Sequence, residues 1–427
     1  MWRDFFIHTY IKGNNEKTAM VKKTTLDNGF RIVTEHIESV KSISIGIWVK
    51  TGSRHETPKQ AGVTHFLEHM LFKGTDTRSA YDIALSMEAV GGYLNAFTSS
   101  EYTCYYARCL NTQVERAMDV LSDMVLNPSF PAEEIEKEKK VVIEEMKMYR
   151  DSPDDYLFEE FTSKIFEGHP LGRPIIGFED TVNAFTRDDL YGYMKDRYTP
   201  SNLLISVAGN VDHDQVVELA EKVFADLNRE EKAVDNPAFS MENIDRYTYT
   251  KDIEQTHYVL GKRGLSSNHD NRYLLLLANT VLGGGMSSRL HQNVREKYGY
   301  CYSIQTFNQS FSDTGLYGVY VGTDKEYVDH VHELVVKELN TVREEVIPDK
   351  ELAEAKSQLK GKLLLSQENT SNRMTRLAKS ELHFGRFVSL DELVEHIDAV
   401  QANDIQAFAA DFFDPSTYSE GILHPKN

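Results

Sequence analysis

Two histidines and a glutamate lie within five residues of one another, in the order His-x-x-Glu-His, at residues 65–69. In a helix His65 and His69 are one turn apart, and Glu68 is within about a third of a turn of both. Two imidazoles at this spacing can converge on one metal ion, with a carboxylate beside them. The pattern is the inverted form of a metalloprotease motif and indicates metal-assisted hydrolysis. Alone the motif is also compatible with a solvated polar helix face, so a third ligand must decide between the two interpretations.

The helix that must carry this motif is predicted from Thr57 to about Lys73. Thr57 is a good N-cap with proline directly after it, and Lys73 precedes the glycine that ends the pattern. An apolar stripe recurs at three- and four-residue spacing: Val63, Phe66, Leu67, Met70 and Leu71. We therefore expect a helix that packs on a core by this stripe and turns the motif outward.

A second helix, predicted from Pro131 to about Tyr149, offers the third ligand. One stripe of it consists of Ile135, Glu138, Val142, Glu145 and Tyr149. Two glutamates thus occupy positions where apolar residues are expected, although an unpaired buried carboxylate is costly. A metal ion and its supporting residues would supply the missing partner.

Two points about these glutamates stay open in the sequence. Glu144 lies about 100° from Glu145 around the helix, off the stripe, and is the poorer candidate. Glu138 and Glu145 could instead be partly exposed and neutralised by Lys or Arg. Two histidines and a carboxylate, with a fourth position left for water, are typical of a catalytic zinc site rather than a structural one.

Composition restricts the class of protein. The chain has 427 residues, of which 41% are hydrophobic, and 47 Lys+Arg against 66 Asp+Glu give a net charge of −19. This apolar content fills two or three domain cores and excludes general disorder. A surface so acidic repels phosphate backbones, so nucleic acid is not an expected partner. No apolar run approaches the roughly eighteen residues of a membrane span.

The N-terminus and the cysteines bear on the compartment. Residues 1–20 have no continuous apolar core, no small-residue cleavage site and few arginines, so we interpret them as a tail. The three cysteines, Cys104, Cys109 and Cys301, are odd in number and lack metal-type spacing. That usage favours a reducing compartment, and we expect a cytoplasmic protein.

An internal duplication organises the chain. Tyr198-Thr-Pro-Ser and Phe413-Asp-Pro-Ser each precede an apolar stretch, at an offset of 215 residues (413 − 198). Each half begins with a strand and a turn, continues through helices, and closes with a strand. Residues 93–108 and 300–322, rich in Tyr, Thr and Phe, predict hairpins. The expected fold is α+β, with two duplicated domains that each pack helices on an antiparallel-rich sheet.

The predicted domain boundaries follow from this repeat. After the tail, a catalytic domain spans 21–227 and a second domain without the histidine motif spans 246–427. Residues 228–245 are polar, contain proline and have no sustained helical or strand period, which predicts a linker.

With these motifs the chain resembles the pitrilysin/insulysin family of zinc peptidases. More narrowly, it is similar to the two-domain branch with bacterial processing proteases and the β subunit of mitochondrial processing peptidase. The family's Glu ligand, about 76 residues after the motif, matches Glu145 (145 − 69 = 76), and a Glu seven residues earlier matches Glu138. The family's Asn-Ala-x-Thr strand is matched at residues 95–98, and its Arg/Tyr segment at Arg295 and Tyr302.

The resemblance implies a zinc endopeptidase that cleaves unfolded peptides or processing segments. One Zn²⁺ per chain would be held by His65, His69 and Glu145, with Glu138 behind them. Glu68 would act as general base on the zinc-bound water.

It also implies how substrate and partner bind. The peptide would add as a strand along Asn95, Ala96 and Phe97. Two copies of the chain would close like a clamshell around a chamber, as a homodimer. Arg295 and Tyr302 would then reach the substrate carbonyl from the second domain of the other copy.

Two other interpretations are retained from the sequence. One is a non-catalytic structural member of the same fold, as in core subunits of respiratory complexes, and zinc content would separate it. The other is a metal-dependent hydrolase of a non-peptide amide, which cleavage of unstructured peptides would separate. An acidic chamber wall would favour basic peptides, but the sequence does not show which acids face inward. The turn-rich segment at residues 169–174 is interpreted as structural.

Overall fold

The computed structural model describes residues 20–233, 237–240 and 244–426, and two β-sheets form its framework. The tail predicted at residues 1–20 lies outside the described residues except for its last position. The described parts of the predicted linker contain neither helix nor strand.

The first sheet has six strands in the order β1-β2-β6-β3-β5-β4. Their bounds are Met20–Thr25 (β1), Arg31–His36 (β2), Ser42–Val49 (β3), Tyr93–Thr98 (β4), Thr103–Leu110 (β5) and Leu203–Gly209 (β6). The pair β2–β6 is parallel and the other pairs are antiparallel. Every residue of β6, and all but the first of β3, is buried, so both faces of the sheet are covered at its centre.

The second sheet repeats the first. Its five strands run in the order β7-β11-β8-β10-β9. Their bounds are Arg246–Lys251 (β7), Thr256–Gly264 (β8), Cys301–Ser310 (β9), Gly315–Thr323 (β10) and Ser419–Pro425 (β11). Again one pair, β7–β11, is parallel. This order matches β2-β6-β3-β5-β4 strand for strand, which confirms the predicted duplication and both predicted hairpins.

Helices cover these sheets. In the first half they are Val63–Met70 (α1), Ala80–Glu88 (α2), Val114–Leu126 (α3), Ala132–Asp151 (α4), Pro153–Ile165 (α5), Glu179–Ala184 (α6), Arg187–Arg197 (α7) and His213–Phe224 (α8). In the second half they are Arg272–Gly283 (α9), Val328–Glu344 (α10), Asp349–Ser366 (α11), Thr370–Phe384 (α12), Leu390–Ala399 (α13) and Ala402–Phe412 (α14). Within the described residues, none of these helices combines the length and apolar character that a bilayer crossing requires.

The two halves exchange one equivalent helix each. Helix α5 of the first half packs on β8 and β11 of the second sheet, with Leu157 and Phe161 fully buried there. Helix α12 of the second half packs on β2, β3 and β6 of the first sheet, with Met374 and Leu377 buried against Trp48. Each follows a long helix, α4 or α11, so the exchange repeats with the duplication.

Polar contacts fix α12 on the first sheet. The guanidinium of Arg373 donates to Oε1 of Glu35 at 2.6 Å, and Glu35 is only 2% exposed. In a second ion pair the cation comes from the sheet, since Lys23 of β1 donates to Glu381 of α12 at 2.7 Å. A domain boundary placed between the two halves of the chain therefore assigns α5 and α12 to one half although each packs on the sheet of the other half.

We predict that residues 20–233 expressed alone do not form a stable monomer. The face of the first sheet around Trp48 and Cys104, both 0% exposed, loses its cover when α12 is absent. The fragment should bind a hydrophobic dye and melt without a cooperative transition by circular dichroism. Co-expression with residues 234–427 should restore a cooperative melt. A fragment that melts cooperatively as a dye-free monomer would contradict the interdependence of the halves.

Candidate metal centre

The helix with the His-x-x-Glu-His motif is shorter than the sequence predicts. Instead of one helix from Thr57 to Lys73, a 3₁₀ turn at Pro58–Gln60 comes first and α1 follows. Gly62 separates them with φ +90°, and an added Cβ would lie 2.5 Å from the carbonyl oxygen of Ile176. Glycine is required at such a left-handed, close-packed position. The predicted apolar stripe is at most 1% exposed: Val63, Phe66, Leu67, Met70 and Leu71.

A buried carboxylate that sequence analysis missed holds the first turn of α1. Oε2 of Glu56 accepts a hydrogen bond from the backbone N–H of Gly62, and Oε1 accepts one from that of Thr64, each at 2.8 Å. First-turn N–H groups have no partner inside a helix, so this carboxylate satisfies them and fixes the start of α1. Burial raises the pKa of Glu56 to about 7, although both hydrogen bonds oppose that shift. The sequence did not indicate this role of Glu56, because the adjacent Thr57 is the more obvious helix-capping residue.

His65, His69 and Glu145 bring their donor atoms together. Oε2 of Glu145 lies 3.8 Å from Nε2 of His65 and 3.5 Å from Nε2 of His69. One donor atom from each of the three residues lies within 4.8 Å of the others, the one such cluster among the described residues. Glu144 points elsewhere and pairs with Lys147 at 2.7 Å. Two imidazole nitrogens and a carboxylate oxygen are donors that Zn²⁺ prefers, so the residues present fit this metal.

The electrostatics of the cluster favour metal-binding forms of two ligands. Burial, assisted by repulsion from His69, lowers the pKa of His65 to about 4, so its imidazole is neutral at pH 7. A hydrogen bond with His69 lowers the pKa of Glu145, which is therefore ionised. Burial lowers the pKa of His69, but the hydrogen bonds with Glu145 and Glu138 outweigh it and raise that pKa overall. A metal ion would have to displace the proton that these carboxylates attract to His69.

Glu138 lies behind the cluster on α4. Nδ1 of His69 donates to Oε2 of Glu138 at 3.1 Å, which turns Nε2 of His69 toward Glu145. Oε1 of Glu138 pairs with Lys73 at 2.5 Å, and the glutamate is 4% exposed. Both interpretations of this residue therefore apply, since it contacts a candidate ligand and is neutralised by a lysine. A carboxylate in this position orients a ligating histidine.

Glu68 faces the same space as His65 without joining the cluster. Its Oε2 accepts a hydrogen bond from the hydroxyl of Thr98, on strand β4, at 2.6 Å. Burial raises the pKa of the Glu68 carboxyl, and the bond from Thr98 only partly opposes this. A carboxylate with a raised pKa is a stronger base than an ordinary glutamate, which suits a proton acceptor.

A cavity of about 430 Å³ opens beside the cluster, and we call it the metal cavity. Strand β4 contributes Ala96, Phe97 and Thr98 to its wall, and Phe311 arrives from the second half. Residues 171–176 also line it, so the segment interpreted as structural belongs to the site. Both halves of the chain therefore build the metal cavity.

Two further carboxylates line the metal cavity from the exchanged helix α5. Asp155 and Glu159 are one turn apart there. Burial raises the pKa of Glu159, and the nearby charge of Glu160 adds to the rise. The i,i+4 spacing of the two acids is visible in the sequence. That they face the metal cavity follows from the helix exchange, which no local sequence pattern predicts.

The residues predicted to bind substrate lie on an edge strand. Strand β4 pairs only with β5 among the described strands, so its outer edge is open. Ala96 and Phe97 line the metal cavity, whereas Asn95 does not. The side chain of Asn95 instead donates to the hydroxyl of Tyr93 at 2.6 Å.

Arg295 and Tyr302 lie together but apart from the cluster. Arg295, in a π-helical turn at His291–Glu296, donates from Nε to the carbonyl of Tyr302 at 2.9 Å. Tyr302 is 79% exposed at the start of β9. Neither residue is among those that line the metal cavity. Within one chain the structure does not bring them to the candidate ligands.

Comparisons with known proteins agree with this geometry. A family model described as Insulinase (Peptidase family M16) matches residues 31–179, and one described as Peptidase M16 inactive domain matches residues 184–359. The zinc protease YmxG of Bacillus subtilis is 43% identical over 408 residues, which cover 95% of this chain and 98% of that protein. A zinc protease of Streptomyces coelicolor is 41% identical over 415 residues, covering 94% of this chain and 89% of that protein.

Solved structures share the fold. A protease from Helicobacter pylori superimposes with a TM-score of 0.90 at 23% identity, covering 96% of this chain and 100% of that one. A structure described as a peptidase M16 inactive domain, from Pseudomonas fluorescens, gives a TM-score of 0.89 at 18% identity, covering 95% and 98%. At these identities the likeness supports the two-domain α+β fold alone.

Proposed function

The chain belongs to the insulinase family of peptidases, family M16, as a zinc metallopeptidase, and we propose that Glu68 is its general base. The observation that carries this proposal is that His65, His69 and Glu145 converge within 4.8 Å while Glu68 faces the adjoining cavity. In the proposed reaction the enzyme is an endopeptidase that hydrolyses unfolded peptides or processing segments.

The residues of the chain divide the chemistry among them. Bound by His65, His69 and Glu145, Zn²⁺ would supply Lewis acidity to the peptide carbonyl and to the attacking water. Glu68 accepts the proton of that water and returns it to the leaving amine nitrogen. The hydroxyl of Thr98 holds Oε2 of Glu68 and leaves Oε1 for the transfer.

Edge strand β4 is the proposed binding site for the peptide. An extended chain can add to an open sheet edge through main-chain hydrogen bonds, with little demand on its side chains. Asn95, Ala96 and Phe97 provide that edge, and Ala96 and Phe97 also reach the metal cavity. Only an unfolded segment can offer a free strand, which is why we propose unfolded substrates.

The catalytic proposal predicts different outcomes for neighbouring carboxylates. Glu68→Gln should keep one zinc per chain but lower kcat on an unstructured peptide by about 10²–10⁴-fold, because the proton acceptor is lost. Glu145→Gln should lose zinc, whereas Glu144→Gln, whose residue pairs only with Lys147, should match the parent protein. Metal analysis and peptide cleavage with and without chelator measure both. Full activity of Glu68→Gln would refute its role as general base.

We further propose that the metal cavity selects a basic side chain close to the bond that is cut. In the described part of the chain, four carboxylates line this cavity, those of Glu68, Glu145, Asp155 and Glu159, against one lysine or arginine, Arg173. An arginine of the peptide would neutralise the partly buried carboxylate of Glu159 and form charge-assisted hydrogen bonds with it.

This preference predicts a change in specificity. Asp155→Asn/Glu159→Gln should reduce kcat/KM by about 10–100-fold for a peptide with arginine near the cut. The same peptide with glutamine in place of arginine should be affected little. Glu144→Gln/Glu167→Gln, which also removes two negative charges but at exposed positions outside the cavity, is the matched control for charge. Unchanged discrimination between the two peptides in the double variant would remove the proposed subsite.

A homodimer is the proposed working form, with Arg295 and Tyr302 acting on the substrate held by the other copy. The exposure of Tyr302 and its separation from the metal cavity support this, since a partner could reach the cavity where the same chain does not. Tyr302 could then donate a hydrogen bond to the developing oxyanion.

Subunit exchange tests the action in trans. Inactive Glu68→Gln protein mixed with inactive Arg295→Ala protein should regain part of the parental activity, because a mixed dimer holds one intact site. Lys297→Ala, at a neighbouring cation, should be active by itself. Failure to regain any activity after exchange verified by mass spectrometry would exclude action in trans.

We also propose that the protein works in the cytoplasm. Cys104, Cys109 and Cys301 are all free and buried, as suits a reducing compartment. Burial raises the pKa of the Cys109 and Cys301 thiols to about 11, so they stay unreactive there.

A further inference from the structure

A second cavity, of about 630 Å³, lies on the other side of strand β9 from the metal cavity. Asn308 and Ser310 of β9 line it, whereas Gln309 lines the metal cavity. Alternate residues of a strand face opposite sides, so the two cavities share β9 as a wall. The other walls are α9, α11, α13 and the exchanged helix α12.

The charge of this cavity is opposite to that of the protein. Of the residues that the structure describes, Arg272, Arg376 and Lys379 line it, and no aspartate or glutamate does. The whole chain, by contrast, has a net charge of −19. Among the described residues none of these three cations has a carboxylate within salt-bridge distance. Each instead lies over an aromatic ring, at 4.5 Å from Tyr273 for Arg272, 4.7 Å from Phe387 for Arg376 and 5.3 Å from Tyr102 for Lys379.

The acids whose charges interact with Arg376 and Arg272 are already paired with other arginines. Glu35, whose charge acts on Arg376, is held by Arg373 at 2.6 Å. Glu392, whose charge is felt by Arg272, is held by Arg386 at 2.6 and 2.8 Å. The positive charge in the cavity is therefore left without a matched partner.

Buried polar atoms in the cavity also lack partners. Gln367 is 6% exposed, and its Oε1 accepts no hydrogen bond, although its Nε2 donates to Ser366 at 2.9 Å. Nε of Arg376 is buried without an acceptor, while Nη1 donates to the carbonyl of Val388. Native proteins rarely leave such atoms unsatisfied, which points to a ligand or ordered water in contact with them.

We propose that this second cavity binds a small organic anion that also carries an apolar group. Its phosphate or carboxylate would be held by Arg376 and Lys379, and a donor on the ligand could reach Oε1 of Gln367. Leucine and valine side chains supply the apolar wall: Leu276, Leu363, Val388 and Leu393. The site contains none of the candidate zinc ligands and does not depend on the proposed reaction.

Calorimetric titration of the full-length zinc protein with phenyl phosphate tests this site. We expect one binding event per chain, weakened about tenfold by Lys379→Gln, since a hydrogen bond to a charged group is lost. Lys350→Gln, with the same change of charge at an 89% exposed residue outside the cavity, should bind like the parent protein. Arg376→Gln should also weaken binding. If circular dichroism shows that Arg376→Gln unfolds at a lower temperature than the parent protein, the result for Lys379→Gln is used instead, because Lys379 is exposed and its substitution should not affect folding.

Other probes separate the parts of the ligand. Phenylacetate in place of phenyl phosphate distinguishes a carboxylate source from a phosphate source, and binding of either that depends on Lys379 supports the proposal. Inorganic phosphate should bind more weakly than phenyl phosphate, and equal binding would overturn the apolar contribution. The proposed site would be overturned if neither aromatic anion binds. It would also be overturned if Lys379→Gln leaves binding unchanged, because the anion would then be bound elsewhere, for example at the zinc.

Discussion

The contact between α1 and α4 is the interaction on which the site depends. It must hold two imidazoles and a carboxylate from different helices within 4.8 Å of each other. Such a cluster is not stable by attraction alone, because each group is partly removed from water. Glu56 fixes one end of α1 through two backbone hydrogen bonds, and Glu138 with Lys73 anchors the other. The buried apolar stripe of α1 then determines how closely the helix packs on the core.

The exchange of helices between the halves gives the second constraint. Helix α5 contributes Asp155 and Glu159 to the metal cavity, and helix α12 contributes Arg376 and Lys379 to the second cavity. Each exchanged helix thus packs an apolar face on the sheet of the other half while another face lines a cavity. The duplication that made the two halves similar has given equivalent helices opposite charges. Among the described residues the metal cluster lies in the first half alone, so the two halves differ in the chemistry of the side chains that they present.

Local sequence patterns were enough for much of this architecture. Helix α4 begins and ends within two residues of its prediction, and both predicted hairpins form. The motif spacing led to the three residues that converge. The start of α1 was wrong because Thr57 and Pro58 cap a separate 3₁₀ turn. A left-handed Gly62 packed on residue 176 is a tertiary requirement, and one sequence contains no sign of it.

Most of the residues that sequence analysis missed have roles that depend on contacts between segments distant in the chain. Glu56 acts across a turn, whereas Asp155 and Glu159 face the metal cavity only because α5 leaves its own half. Gln367 lines a cavity that β9 and four helices build together. Opposite charges on the two sides of β9 have a consequence for ligands. The acidic side disfavours an anion and the basic side a cation, so the two proposed ligands, a basic peptide and a small anion, would not compete for the same cavity. Strand β9 forms a wall of both cavities, with Gln309 on the acidic side and Asn308 and Ser310 on the basic side.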